Sequence, residues 1–207
     1  MTTCPTHRHD KVDTYFQEYV QALLHGLHLL DQATLSRVCD TLVGLYRRGG
    51  KLFVCGNGGS AAISNHLLCD HLKGVRTDTG LLPKVISLST NLEIITAIAN
   101  DISYADVFVY QLASLAAPQD VLLTISASGD SENIVRAVQW AREHAVTTMA
   151  LTGFAGGRSA QLADFNLHIP VANYGIVEDA HQAIMHILAQ FIRQWHMNPE
   201  TVAKRKF

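Results

Sequence analysis

The apolar positions change period along the chain. Over residues 12–46 they recur at helical steps: Tyr15, Tyr19, Leu23 and Leu30, then Leu35, Val38, Leu42 and Leu45. The spacing predicts two helices with a break near Asp31, ended by Gly49-Gly50. Beyond that point short unbroken apolar runs alternate with helical stretches. The runs 52–55, 85–88, 121–125, 147–151 and 165–169 read as five buried strands. Helices are expected over about 60–73, 92–99, 104–115, 131–144 and 174–195. Apolar strands alternating with helices predict a parallel sheet covered on both faces, wound right-handedly into a three-layer, doubly wound α/β/α domain. The whole chain, 1–207, reads as one domain, with N-terminal helices over 10–48 and an α/β core over 49–196.

Composition narrows the function classes. A formal charge of −2 and a basic run confined to Lys204-Arg205-Lys206 argue against a nucleic-acid surface. No run reaches the ~18 consecutive apolar residues of a membrane span, and residues 1–10 lack the apolar core of a secretory signal, so a cytoplasmic protein is expected. Cys4, Cys39, Cys55 and Cys69 have no metal-type spacing. They read as free thiols, with Cys39, Cys55 and Cys69 in the core and Cys4 in a tail. Eleven histidines make position the deciding criterion.

Two strand-to-helix turns carry candidate chemistry. Ser126-Ala127-Ser128-Gly129-Asp130-Ser131 lies between the third strand and a helix. Unpaired N–H groups at a helix start, three hydroxyls and a glycine that admits close approach make an anion site. Helix capping is the plain alternative for Ser131. Gly56-Asn57-Gly58-Gly59-Ser60 makes the equivalent turn after the first strand. Its spacing fits neither a dinucleotide fingerprint nor a P-loop. Two such turns in one sheet suit a ligand that spans both, such as a sugar phosphate.

Gly56-Asn57-Gly58-Gly59-Ser60-Ala61-Ala62, Thr96-Ala97-Ile98-Ala99-Asn100-Asp101 and the Ser126, Ser128, Gly129, Ser131 set, in this order, resemble the sugar-isomerase (SIS) domain family. The resemblance runs over about 10–195 and is nearest to the phosphoheptose isomerase branch, which interconverts sedoheptulose 7-phosphate and a heptose 7-phosphate. It implies a homotetramer of flavodoxin-like domains with active sites shared between subunits. It also implies substrate contacts from Asn57, Gly58, Gly59, Ser60, Asn100 and Asp101, and phosphate contacts from Ser126, Ala127, Ser128 and Ser131. The family's metal and catalytic positions fall on His66, Asp70, Glu178 and His186.

Those four residues form a chemical set. His66 and Asp70 are four apart on the helix that leaves the glycine turn, so they share a face, although His71 is a rival partner for Asp70. An aldose–ketose isomerase needs a base for the proton beside the carbonyl and an acid that serves the oxygens. Asp70 and His186 are the assigned pair, in either order. Two departures from the branch stand out: Asp70 replaces its usual Glu, and Glu178 replaces its usual Gln. Two histidines and two carboxylates suit Zn²⁺ or another divalent ion, which would polarise the carbonyl and stabilise an enediolate. Glu178 and His186 are about 12 Å apart if both lie in regular helix, so His181 and Gln182 are the alternative ligands. Other readings are a non-enzymatic SIS protein that binds the replication initiator, a sugar-phosphate-sensing regulator, and an isomerase of another ketose phosphate. The presence of Asp70 and His186 favours the enzyme.

Overall fold

The protein's structure, a computed structural model, describes all residues 1–207. A short strand β1 (Thr2–Thr3) precedes helices α1 (Val12–His28) and α2 (Gln32–Arg47). Then follow β2 (Lys51–Gly56), α3 (Gly59–Cys69), a π-helical segment (Asp70–Val75) and β3 (Lys84–Ser87). Next come α4 (Leu92–Asp101), α5 (Val107–Leu115), β4 (Val121–Ser126), α6 (Glu132–Glu143) and β5 (Thr147–Thr152). The chain closes with α7 (Gly157–Leu162), β6 (Phe165–His168), β7 (Val171–Ala172), α8 (Tyr174–His196) and α9 (Pro199–Val202).

The five-stranded sheet has the order β3-β2-β4-β5-β6 and every pairing is parallel. Successive strand residues feed opposite layers. Leu52 and Val54 join a large core with α1, α2, α3 and α8, whereas Phe53 and Cys55 join a smaller one with α4, α5 and α6. This is the three-layer arrangement that the unbroken strands predict. From β2 the chain steps to β3 on one side, and β4, β5 and β6 extend on the other. The strand order thus reverses between β2 and β4, and such a reversal opens a crevice at the carboxyl ends of the strands.

Four local features depart from the sequence reading. The helix expected over 60–73 is α-helical only to Cys69 and continues with π geometry from Asp70. The short α7 and the β1–β7 pair carry too few residues to show a period. Cys4 is buried rather than free in a tail, because Thr2–Thr3 pairs with Val171–Ala172 and draws the segment onto the body. Cys69 is exposed rather than in the core.

Candidate active site

Both candidate turns lie at the β2/β4 reversal, and their helices start without side-chain caps. In α2, α4 and α8, by contrast, a side chain holds the first turn: Asp31 accepts from Ala33 N–H at 3.0 Å, Asn91 from Ile94 N–H at 2.9 Å and Asn173 from Ile176 N–H at 3.0 Å. Ser131 is the N-cap of α6 yet makes no capping bond. Its hydroxyl and the first N–H groups of α6 are therefore left for a ligand. Gly58, at φ +55°, caps α3, and a side chain there would meet only open space.

The serine loop is braced from behind. Gly129 sits at φ +67°, and a Cβ there would overlap the Gly156 carbonyl oxygen. Its carbonyl accepts from Ser159 N–H at 2.9 Å and from the Ser159 hydroxyl at 2.7 Å. Ser126 Oγ accepts from Gly129 N–H at 3.2 Å, and Ser128 Oγ from Asp130 N–H at 3.3 Å. Ser126 and Ala127 are buried, and Ser128 and Ser131 are half-buried. Asp130 and Glu132 would repel an anion, but Arg158 bonds both, at 3.0 Å each, and Arg136 adds a bond to Glu132 at 3.0 Å. Hydrogen bonds from Arg158 hold the Asp130 carboxyl, and bonds from Arg136 the Glu132 carboxyl, below the usual carboxylate range. With Arg158 and Arg136 engaged by these carboxylates, the groups the loop offers to an anion are neutral hydroxyls and backbone N–H groups.

The two turns are tied together. Asn57 and Asn133 exchange a pair of amide hydrogen bonds, 2.9 Å each, and the Tyr104 hydroxyl donates to Asn57 Oδ1 at 2.9 Å. Ser89 closes the glycine turn, accepting from Gly56 N–H at 3.1 Å and donating to its carbonyl at 2.8 Å. Ser60 is buried in the first turn of α3. Asn100 and Asp101 stand exposed at the end of α4, bonded to each other at 2.8 Å; the link to the glycine turn comes from Tyr104 instead.

The His66, Asp70 and His186 side chains converge. Asp70 Oδ1 lies 3.4 Å from His66 Nε2, Asp70 Oδ2 lies 3.5 Å from His186 Nε2, and the two rings meet edge-on at 5.0 Å. One donor atom from each falls within 4.8 Å of the other two, so the three side chains could hold a divalent metal ion. Asp70 is the first residue of the π segment. There the backbone widens, in a geometry often found at functional sites. His71 is not its partner, since that ring is buried against the Tyr46 hydroxyl at 2.6 Å, and burial lowers its pKa to about 4.

Glu178 does not join this group. α8 is regular helix from Tyr174, so Glu178 and His186 stay about two turns apart. The Glu178 carboxyl instead lies on the glycine turn, where a Cβ at Gly59 would overlap it. Burial, with the Asp179 charge, pushes that carboxyl above its usual range. One turn before His186, the Gln182 amide nitrogen donates to His66 Nδ1 and His186 Nε2, at 3.0 Å each. His181 faces elsewhere: its ring is fully buried alongside the Thr152 backbone, neither nitrogen reaches a partner, and burial lowers its pKa to about 4.

The SIS-domain profile matches residues 15–153. A phosphoheptose isomerase from Mycobacterium tuberculosis is 38% identical over 156 residues, 74% of this chain and 78% of that protein. A probable phosphoheptose isomerase from Thermoplasma volcanium is 34% identical over 179 residues, covering 86% and 91% of the two chains. The chain belongs to the SIS-domain family, in its phosphoheptose isomerase branch. The solved phosphoheptose isomerase of Francisella tularensis superposes on this SIS domain with a TM-score of 0.80 at 32% identity, covering 89% of this chain and 97% of that one. Sequence reasoning missed Asn133, Tyr104, Ser89 and the Arg158–Ser159 brace around the SIS-domain site. Only Gln182 carried a signal, its one-turn spacing from His186.

Proposed function

We propose that this protein is an aldose–ketose isomerase of a sugar phosphate, with sedoheptulose 7-phosphate and a D-glycero-heptose 7-phosphate as its pair. The observation that carries the proposal is the junction of a neutral anion loop and an acid–base cluster. Helix α3 starts at the glycine turn and presents His66 about 10 Å further along its axis. An extended sugar phosphate bridges that span. Its phosphate takes the N–H groups of α6 and the hydroxyls of Ser126, Ser128 and Ser131. Its hydroxyls take Ser60, the glycine turn and the Glu178 carboxyl.

Asp70 and His186 face each other at 3.5 Å. One removes the proton from the carbon beside the carbonyl, and the other moves protons between the two oxygens, through an enediolate. Gln182 bridges the two imidazoles through its amide nitrogen and orients both rings. Asp70 is a methylene shorter than the branch's usual Glu, and its place at the head of the π segment lets its two oxygens reach both histidines. His66, Asp70 and His186 would hold one Zn²⁺ or similar ion, which supplies Lewis acidity at the substrate carbonyl.

We also propose a cytoplasmic homotetramer. No helix is long and apolar enough to cross a membrane. Ile187, Phe191 and Trp195 form an exposed stripe on α8 beside His186, and Val12 and Phe16 expose another apolar patch on α1, both suited to subunit contacts. The test is an isomerisation assay over C5 to C7 ketose phosphates, with and without chelator. Turnover of the seven-carbon substrate is expected, lost on chelation and restored by Zn²⁺. Failure to turn over any ketose phosphate sinks the isomerase; full activity in metal-stripped protein sinks the metal.

A further inference from the structure

A second group of metal-type ligands lies far from this site in sequence, in a segment with no catalytic assignment. His7, His9 and Glu18 each bring one donor atom within 4.8 Å of the other two. His7 and His9 belong to the arm that β1 docks, and Glu18 belongs to α1.

Each ligand is oriented by a partner on its far side. The Thr14 hydroxyl donates to the Lys11 carbonyl at 2.9 Å, so at 3.1 Å from His9 Nδ1 its oxygen acts as an acceptor. His9 therefore carries its proton on Nδ1 and turns an Nε2 lone pair outward. That Nε2 stands 2.5 Å from Glu18 Oε2. Glu18 Oε1 is held by Thr6 N–H at 2.6 Å. Two acceptors at that separation share a proton, which a metal ion would replace while parting them to about 3.3 Å. His7 supplies the third donor: Thr6 Oγ1 holds its Nδ1 at 3.0 Å, and its ring lies 4.2 Å from that of His9. A proton shared by His9 and Glu18 would satisfy that pair alone and leave His7 no part. A metal ion uses all three groups.

The surroundings are those of a built site. The His9 side chain is 8% exposed and that of Glu18 19%. Cys4 is buried next to Glu18, whose charge adds to burial in raising its thiol pKa.

We infer that His7, His9 and Glu18 form a second, structural divalent-cation site, of a chemistry that suits Zn²⁺. The ion would staple the N-terminal arm to α1. The arm in turn joins the start of α8, through the β1–β7 pairing and the bond from Asn173 Nδ2 to the Cys4 carbonyl at 2.9 Å. Binding energy there becomes folding energy for the arm.

Zinc titration of chelator-stripped, full-length protein tests this without using activity. His186→Ala protein, crippled at the candidate active site, is expected to retain one zinc equivalent per chain. His186→Ala/His7→Ala and His186→Ala/Glu18→Gln are expected to lose it. Excess Zn²⁺ should raise the Tm of His186→Ala by roughly 5 °C at a hundredfold excess over Kd, and leave both double variants unmoved. His7 is exposed, so its removal does not threaten the fold. Zinc content or a Tm response that is equal in His186→Ala and His186→Ala/His7→Ala overturns the site, as does an absence of zinc from His186→Ala itself.

Discussion

The serine loop and the His66–Asp70–His186 cluster serve one proposed reaction but are built differently. The loop is six consecutive residues on a strand end, with a glycine wedged against a second backbone and its acidic side chains neutralised by Arg158 and Arg136. The cluster draws on two helices separated by more than a hundred residues, and its side chains stay partly open to solvent. The difference follows from their tasks. An anion cradle needs fixed dipoles, which backbone supplies. Proton transfer needs side chains that can exchange partners, and these come from elements free to be placed independently.

The sharpest break of this contrast is Asp70→Asn. It keeps the shape of the cluster and removes the carboxylate, so kcat should fall about 1000-fold with KM nearly unchanged. Steady-state kinetics with equal retention of activity would move the chemistry elsewhere. Gly129→Ala attacks the rigid side. A Cβ at φ +67° against the Gly156 carbonyl should cost about 3 kcal/mol of stability in urea unfolding; a stable variant would show the loop to be yielding.

Helix α8, which carries His186, gives a pH test. His181 has a folded pKa of about 4 against a reference of 6.5. Below pH 6.5 the unfolded chain takes up a proton that the folded chain refuses, so stability present at neutral pH drains away towards pH 4. At pH 5 this group alone should cost about 2 kcal/mol. His181→Leu should remove that part of the slope in urea titrations at pH 7 and pH 5, and an unchanged slope would place the titration in another residue. The smallest effect separates binding from folding. An N-cap serine normally contributes about 1 kcal/mol, but Ser131 makes no capping bond. Ser131→Ala should leave the Tm within about 1 °C, while losing one charge-assisted bond to the phosphate raises KM about 10-fold. A Tm loss with unchanged KM would return Ser131 to capping.

The sequence made the sheet and the serine loop legible because both are local. Unbroken apolar runs such as 121–125 mark buried strands, and a glycine and serines after such a run mark the turn. The glycine turn was equally plain. What lay hidden is set by tertiary geometry. The branch pattern places Glu178 among metal ligands, but regular helix from Tyr174 carries it to Gly59, and Gln182 fills the space between the histidines. The π segment at Asp70 has no compositional mark. Asn133 and Tyr104 meet Asn57 only because β2 and β4 are neighbours. His7 and His9 reach Glu18 only because the arm's pairing with β7 docks it on the body.

The overlap of Gly59 with the Glu178 carboxyl also constrains how such a protein can change over time. A side chain at residue 59 would push the end of the Glu178 side chain off the glycine turn, so the two positions are coupled. A lineage that shortens residue 178 first can lose the glycine without moving anything; one that starts at residue 59 displaces the acid from the turn. The order of substitution, and not only the set of residues reached, is written into that one contact.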